Sequence, residues 1–133
     1  MQQATCSAES VQDRSSSLEL KASIVIRARN EAERVGQVLA AISNQSVRPA
    51  EIVLIDSGST DSTVSIARRH RARIFTLRPE EFSYGGALNL GVQLAEAPIT
   101  VFLSAHAVPA SPHWLEALLA PLRPGRLVPE MSP

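Results

Sequence analysis

Four short runs of apolar, largely β-branched residues alternate with segments whose apolar residues recur at helical spacing, and no feature narrows the fold of this chain more. The first run is ASIVI at 22–26; Val35, Val38, Leu39 and Ile42 follow at the spacing of one helix face, with Asn30 placed to cap that helix. EIVLI at 51–55 is the second run, and the turn DSGSTD at 56–61 offers Ser59 or Thr60 as the cap of a helix reaching about His70. ARIFTL at 72–77 is the third. A loop at 78–86 and a helix from about Gly86 to Ala95, ended by Pro98, lead to the fourth, ITVFL at 99–103. Ser111 and Pro112 then form an N-cap and first-turn pair for a helix to about Leu119.

Continuously apolar strands are buried on both faces, and helical crossovers between them require a parallel sheet wound right-handed. The fold class is therefore α/β, a parallel sheet in three layers. The domain is expected over residues 20–121. Residues 1–19 hold five serines and few large apolar side chains and read as a disordered tail; 122–133, with three prolines and a glycine in 123–133, read as an irregular one. Another strand would be expected there, so the domain reads as truncated.

Composition excludes several classes. Thirteen Lys and Arg balance thirteen Asp and Glu, which removes the electrostatic footprint of a nucleic-acid binder. Cys6 is alone, so no internal disulfide and no cysteine zinc site can form. The first residues lack the basic and apolar regions of a secretory signal. The longest stretch free of Asp, Glu, Lys and Arg, 97–115, contains Pro98, Pro109 and Pro112 and is no transmembrane helix. These points indicate a cytoplasmic protein.

In an open parallel sheet, ligands sit beyond the carboxyl ends of the strands. The loops there carry Arg27, Arg29, Asn30 and Glu31 after the first strand, Asp56, Ser57, Gly58, Ser59, Thr60 and Asp61 after the second, and Ser104, Ala105 and His106 after the fourth. None has the G-x-G-x-x-G or P-loop pattern, so the two commonest nucleotide cradles are absent.

The series IVIRARNEAERV, EIVLIDSGSTDST, FSYGGALNLG and VFLSAHAVP, in this order, resembles the nucleotide-sugar-binding half of the family 2 glycosyltransferases of the GT-A fold, nearest to a rhamnosyltransferase-like branch. The match covers about residues 21–120. The resemblance implies a nucleoside diphosphate sugar as donor and inverting transfer to an acceptor hydroxyl, the acceptor standing open between lipid-linked and polysaccharide. It implies donor contacts from Arg29, Asn30, Glu31, Asp56, Ser57, Gly58, Gly86, Asn89, Ser104 and His106. In the relatives the catalytic base lies beyond the fourth strand, and no residue here is assigned that role. A lipid-linked acceptor would place the protein at the inner face of the membrane.

Two departures from the family stand out. Many relatives carry Arg immediately before Asn89, where this chain has Leu88; and the family's metal-binding D-x-D is here Ser104-Ala105-His106. His106 occupies the place of the second carboxylate, so a divalent cation, if used, is expected to be Mn²⁺ rather than Mg²⁺. His106 alternatively faces phosphate as a cation or has no role. Asp56 reads equally as an Asx-turn residue, Asn30 and Glu31 as an ordinary helix start, and Asp61 as a first-turn charge. Arg27 and Arg29 offset diphosphate charge or sit at the solvated strand end. Arg68, Arg69, Arg71, Arg73 and Arg78 form the one charge run, read as a solvated helix end, and His113 and Trp114 read as first-turn and packing residues rather than ligands. The rival class is a non-catalytic nucleotide-binding or interaction module on the same fold.

Overall fold

The computed structural model describes residues 21–122. The readings of residues 1–19 and 123–133 as tails lie outside them. Four strands, β1 (Ala22–Ala28), β2 (Glu51–Asp56), β3 (Arg73–Thr76) and β4 (Ile99–Ser104), form one sheet in the order β3-β2-β1-β4. Every pairing is parallel. The helices are α1 (Ala32–Ser43), α2 (Thr63–Arg69), α3 (Tyr84–Leu94) and α4 (Trp114–Leu119), with short 3₁₀ turns at Pro79–Glu81 and Ala120–Leu122. None among the described residues is long and apolar enough to cross a membrane.

Strand order fixes the layers. β1, β2 and β3 advance in one direction, and β4 then returns to the far side of β1. Right-handed crossovers place α1 and α2 on one face and α3 on the other. Alternate residues of a strand face opposite sides, and Val25, Val53 and Ile55 form the α3-side core with Leu90 and Leu94 packed against them. Ile24, Ile26 and Leu54, fully buried, lie on the opposite face, the side on which α1 buries Val35, Val38, Leu39 and Ile42. α3 approaches the sheet closely because Gly91 has no side chain: a Cβ there would lie 2.8 Å from Val25 Cγ1 and 3.0 Å from Phe102 Cε1.

A polar clamp closes the amino-terminal edge of the sheet. The buried Ser23 hydroxyl donates to Glu51 Oε2 at 2.6 Å, the Glu96 N–H donates to the same oxygen at 2.6 Å, and Arg73 reaches Glu51 Oε1 at 3.1 Å. Burial pushes the Glu51 carboxyl up, but these partners together hold it below its ordinary value.

Candidate functional site

At the opposite end of the sheet, β1 finishes at Ala28, whose neighbour in register is Asp56 at the end of β2. Asn30 then adopts φ +54°, a left-handed conformation that Asn tolerates better than most residues. The sequence reading of Asn30 as cap is corrected here: Glu31 precedes α1, and no side chain caps that helix from within its own segment. The amides are served instead by the loop after β2. Ser59 Oγ accepts the Asn30 N–H at 2.8 Å, Thr63 Oγ1 accepts the Glu31 N–H at 2.8 Å, and Asp61 Oδ2 accepts the Ala32 N–H at 3.2 Å.

The same exchange moves the start of the next helix. α2 begins after Ser62 rather than after Ser59 or Thr60, because Asp61 Oδ1 accepts the Thr63 N–H at 2.9 Å and the Thr63 hydroxyl at 2.5 Å. The Thr63 hydroxyl foremost, then the Thr63 and Ala32 amides, hold the Asp61 carboxyl below its ordinary value. Thr63 and Asp61 were not among the expected donor contacts; the Asp-x-Thr spacing ahead of a helix is the signal that marks them.

Asp56 is 2% exposed and its carboxylate is engaged within its own turn. Oδ2 accepts the N–H groups of Gly58 at 3.1 Å and Ser59 at 3.0 Å, and Oδ1 accepts the Ser59 hydroxyl. This is the Asx-turn geometry, and it uses three of about four acceptor positions on a carboxylate. Ser57 is buried and donates its N–H to Ala28. Gly58 has φ +104°, and a Cβ there would lie 2.7 Å from Pro79 Cγ, so conformation and space both demand glycine.

From β4, His106 Nδ1 lies 3.3 Å from Glu31 Oε2, joining the loops after the first and fourth strands. The Ser104 hydroxyl is 3.2 Å from both ring nitrogens of His106, so it is in line with neither, and the three residues do not form a Ser-His-acid relay. Asn30, Glu31, Glu33, Arg34, Asp61 and His106 line an open polar cleft of about 460 Å³. No group of three or more His, Cys, Asp or Glu converges on a metal position among the described residues. His106 and Glu31 supply two donors, and a divalent ion held there would draw its remaining shell from ligand oxygens and water.

A second groove, of about 190 Å³, opens on the α3 side of the same strand ends, with Arg27 and Ser104 at its rim and Leu88 and Phe102 in its walls. The remaining expected contacts fall outside both spaces. Arg29 and Asn89 are exposed and line neither. Gly86 lies in the first turn of α3, which begins at Tyr84 rather than Gly86; its N–H donates to the capping Ser83 hydroxyl at 3.0 Å.

The arginine run is divided rather than a single solvated patch: Arg73 pairs with Glu51 and Glu96, Arg78 with Glu80 and Glu81. α4 starts at Trp114, two residues later than a Ser111 cap implies, the Ser111 hydroxyl accepting the His113 N–H at 2.9 Å.

Comparison with known proteins gives this geometry a lineage. Residues 23–128 match the family model described as glycosyl transferase family 2. The O-antigen chain rhamnosyltransferase WbaN of Salmonella anatum is 35% identical over 81 residues, which are 60% of this chain and 26% of that protein. The O-antigen chain rhamnosyltransferase RfbN of Salmonella typhimurium is 33% identical over 91 residues, 67% of this chain and 29% of its own length. Among solved structures, glucosyl-3-phosphoglycerate synthase of Mycobacterium tuberculosis, in complex with Mn²⁺, UDP and glucosyl-3-phosphoglycerate, superposes with a TM-score of 0.69 at 25% identity, covering 94% of this chain and 47% of that one. The chain thus spans less than a third of the curated relatives and about half of the solved neighbour. Its parallel sheet has the GT-A fold of these neighbours, and the chain belongs to glycosyl transferase family 2.

Proposed function

We propose that these residues form the donor-binding half of a glycosyltransferase, holding a nucleoside diphosphate sugar across the carboxyl ends of β1, β2 and β4. The observation that carries this reading is the convergence of three strand-end loops at the place where strand order reverses, the first two tied together by Asn30, Asp61 and Thr63, the third joined through His106 and Glu31, and all opening into a polar cleft. Asn30, Glu31, Ser104 and His106 are the side chains placed to meet the donor. Asp56, Ser57 and Gly58 serve it by fixing the turn beneath, Arg29 by its charge from outside both spaces, and Gly86 at the start and Asn89 in the middle of α3 through that helix.

Inverting transfer follows the family's chemistry. The acceptor oxygen bonds to the anomeric carbon from the face opposite the diphosphate, the bond to the diphosphate oxygen breaks with its electron pair, and the acceptor proton passes to a base. The rhamnosyltransferase relatives favour a growing polysaccharide as acceptor. A divalent cation, when bound, offsets the charge of the leaving diphosphate. With His106 and Glu31 as protein donors, Mn²⁺ suits the position better than Mg²⁺.

Titration of the ¹⁵N-labelled chain with a panel of nucleoside diphosphate sugars tests this. The backbone signals of Asn30, Glu31, Ser104 and His106 should move together with one member; movement confined to other surfaces would refute the placement. One observation favours the rival, a non-catalytic nucleotide-binding module: Ser104 and His106 stand where the family has two carboxylates, and no third ligand gathers among the described residues.

A further inference from the structure

The geometry points to Arg27 as a phosphoryl-binding group, held ready against two aromatic rings in the groove over β1 and β4. Arg27 shares its sheet face with Val25 and stands opposite Ser104 in the register of the β1–β4 pair. Its guanidinium carbon lies 4.5 Å from the centre of the Tyr84 ring and 5.3 Å from that of Phe82, and the two rings meet edge to face at 5.5 Å. Its one side-chain hydrogen bond among the described residues runs to the Tyr84 hydroxyl at 3.3 Å.

Three features separate this arginine from a solvated surface charge. Its long side chain is fixed by two rings contributed by the segment before α3 and by the first residue of that helix, so little freedom remains to be lost on binding. Among the described residues it has no carboxylate partner, whereas Arg73 and Arg78 are both ion-paired. Finally, among the described residues it is the only charged one lining a groove whose other walls include Val25, Ile55, Ala87, Leu88 and Phe102. A permanently charged group in such surroundings lacks a counter-charge, and its planar fork of N–H groups matches phosphate oxygens.

Position 88 sharpens the assignment. Leu88, on α3, is 46% exposed and faces this groove, so the helix contributes no cation. β1 supplies the positive charge instead, across the sheet from Ser104, whose hydroxyl can donate to the same oxygens. The phosphoryl group belongs to the diphosphate of the donor or to a phosphorylated acceptor. The first source rests on the donor-binding function proposed above; the anion site does not.

The test uses the 133-residue chain and its Arg27→Met, Arg27→Lys and Tyr84→Leu variants, each checked for an unchanged backbone amide spectrum. Inorganic pyrophosphate, a panel of nucleoside diphosphates, the matching nucleosides and glycerol 3-phosphate are titrated, with binding read from heat and from the arginine Nε–H signals. Pyrophosphate should shift the Arg27 Nε–H signal and bind about tenfold more weakly to Arg27→Met, the loss of one charge-assisted contact. Arg27→Lys should recover part of the affinity, and Tyr84→Leu should weaken it less than Arg27→Met.

If nucleoside diphosphates lose affinity in parallel while nucleosides do not, the donor is the source. If only pyrophosphate and glycerol 3-phosphate respond, it is the acceptor. Should pyrophosphate bind through Arg27 while no nucleotide binds at all, the anion site stands and the donor-binding function falls. Equal pyrophosphate affinity in wild type and Arg27→Met, or no binding by the wild type, overturns the inference.

Discussion

The side-chain carbonyl of Asn30 accepts the backbone N–H of Thr60 at 2.7 Å, joining the loop after the first strand to the loop after the second. Asn30 does this from a left-handed backbone conformation that most residues resist. Its side chain and its φ angle therefore contribute separately, and substitution can separate them.

Asn30→Ala loses the hydrogen bond and forces a Cβ-bearing residue without local polar compensation to φ +54°, an expected destabilisation of about 2 kcal/mol. Asn30→Gly loses only the bond and should cost about half as much. Urea unfolding measures both. Equal losses would show that the backbone conformation carries no strain.

Gly91→Ala sets two effects against each other. Alanine favours a helix interior by about 1 kcal/mol over glycine. Its Cβ would meet Val25 at 2.8 Å and Phe102 at 3.0 Å in a packed layer, where overpacking costs about 1–3 kcal/mol. Net destabilisation is expected, with a lower thermal midpoint. A stabilised variant would mean that α3 lifts from the sheet without cost.

Acid should weaken the fold through Glu51 and Asp61. Both carboxyls are held below their ordinary values of 4.5 and 3.8. A carboxyl depressed in the folded state contributes stability that is fully present above its unfolded value and is lost as pH falls through the folded one. Stability should therefore be flat near neutrality and decline below about pH 4.5, the ordinary Glu value. Glu51→Gln should make that decline shallower. An identical decline in wild type and variant would remove Glu51 from the linkage.

The strands are legible in the sequence because each buried run is continuously apolar, and Ala22–Ala28, Glu51–Asp56 and Ile99–Ser104 overlie the expected spans. The third run contracts to Arg73–Thr76. It is an edge strand, and its four residues pair with the last four of β2, from Val53 to Asp56. Helix starts are less legible, since capping rules read one segment at a time whereas Glu31 and Ala32 are served by Thr63 and Asp61, about thirty residues away in sequence. The same locality hides the Arg27 clamp, which needs two rings more than fifty residues distant. Asp56 shows the converse: the turn chemistry that competed with ligand binding in the sequence is the geometry observed.

The 133-residue chain should bind donor without transferring sugar efficiently, because Ser104, in line with neither ring nitrogen of His106, and Glu31 form no relay with His106 that would activate an acceptor hydroxyl. Incubation with nucleotide sugars and hydroxyl acceptors, followed by mass spectrometry, checks this. Efficient acceptor-dependent transfer that disappears in His106→Ala would instead make His106 part of the catalytic machinery.

Nucleotide binding at the strand ends is tested most directly by the thermal midpoint of the chain with a panel of nucleoside diphosphates, each with and without Mn²⁺ and Mg²⁺. At a hundredfold excess over Kd, one member should stabilise the fold by about 2.7 kcal/mol, raising Tm on the order of 10 °C for a domain of this size. The shift should grow more with Mn²⁺ than with Mg²⁺, and His106→Ala should abolish that difference. No shift with any nucleoside diphosphate under any metal condition would contradict the donor-binding function.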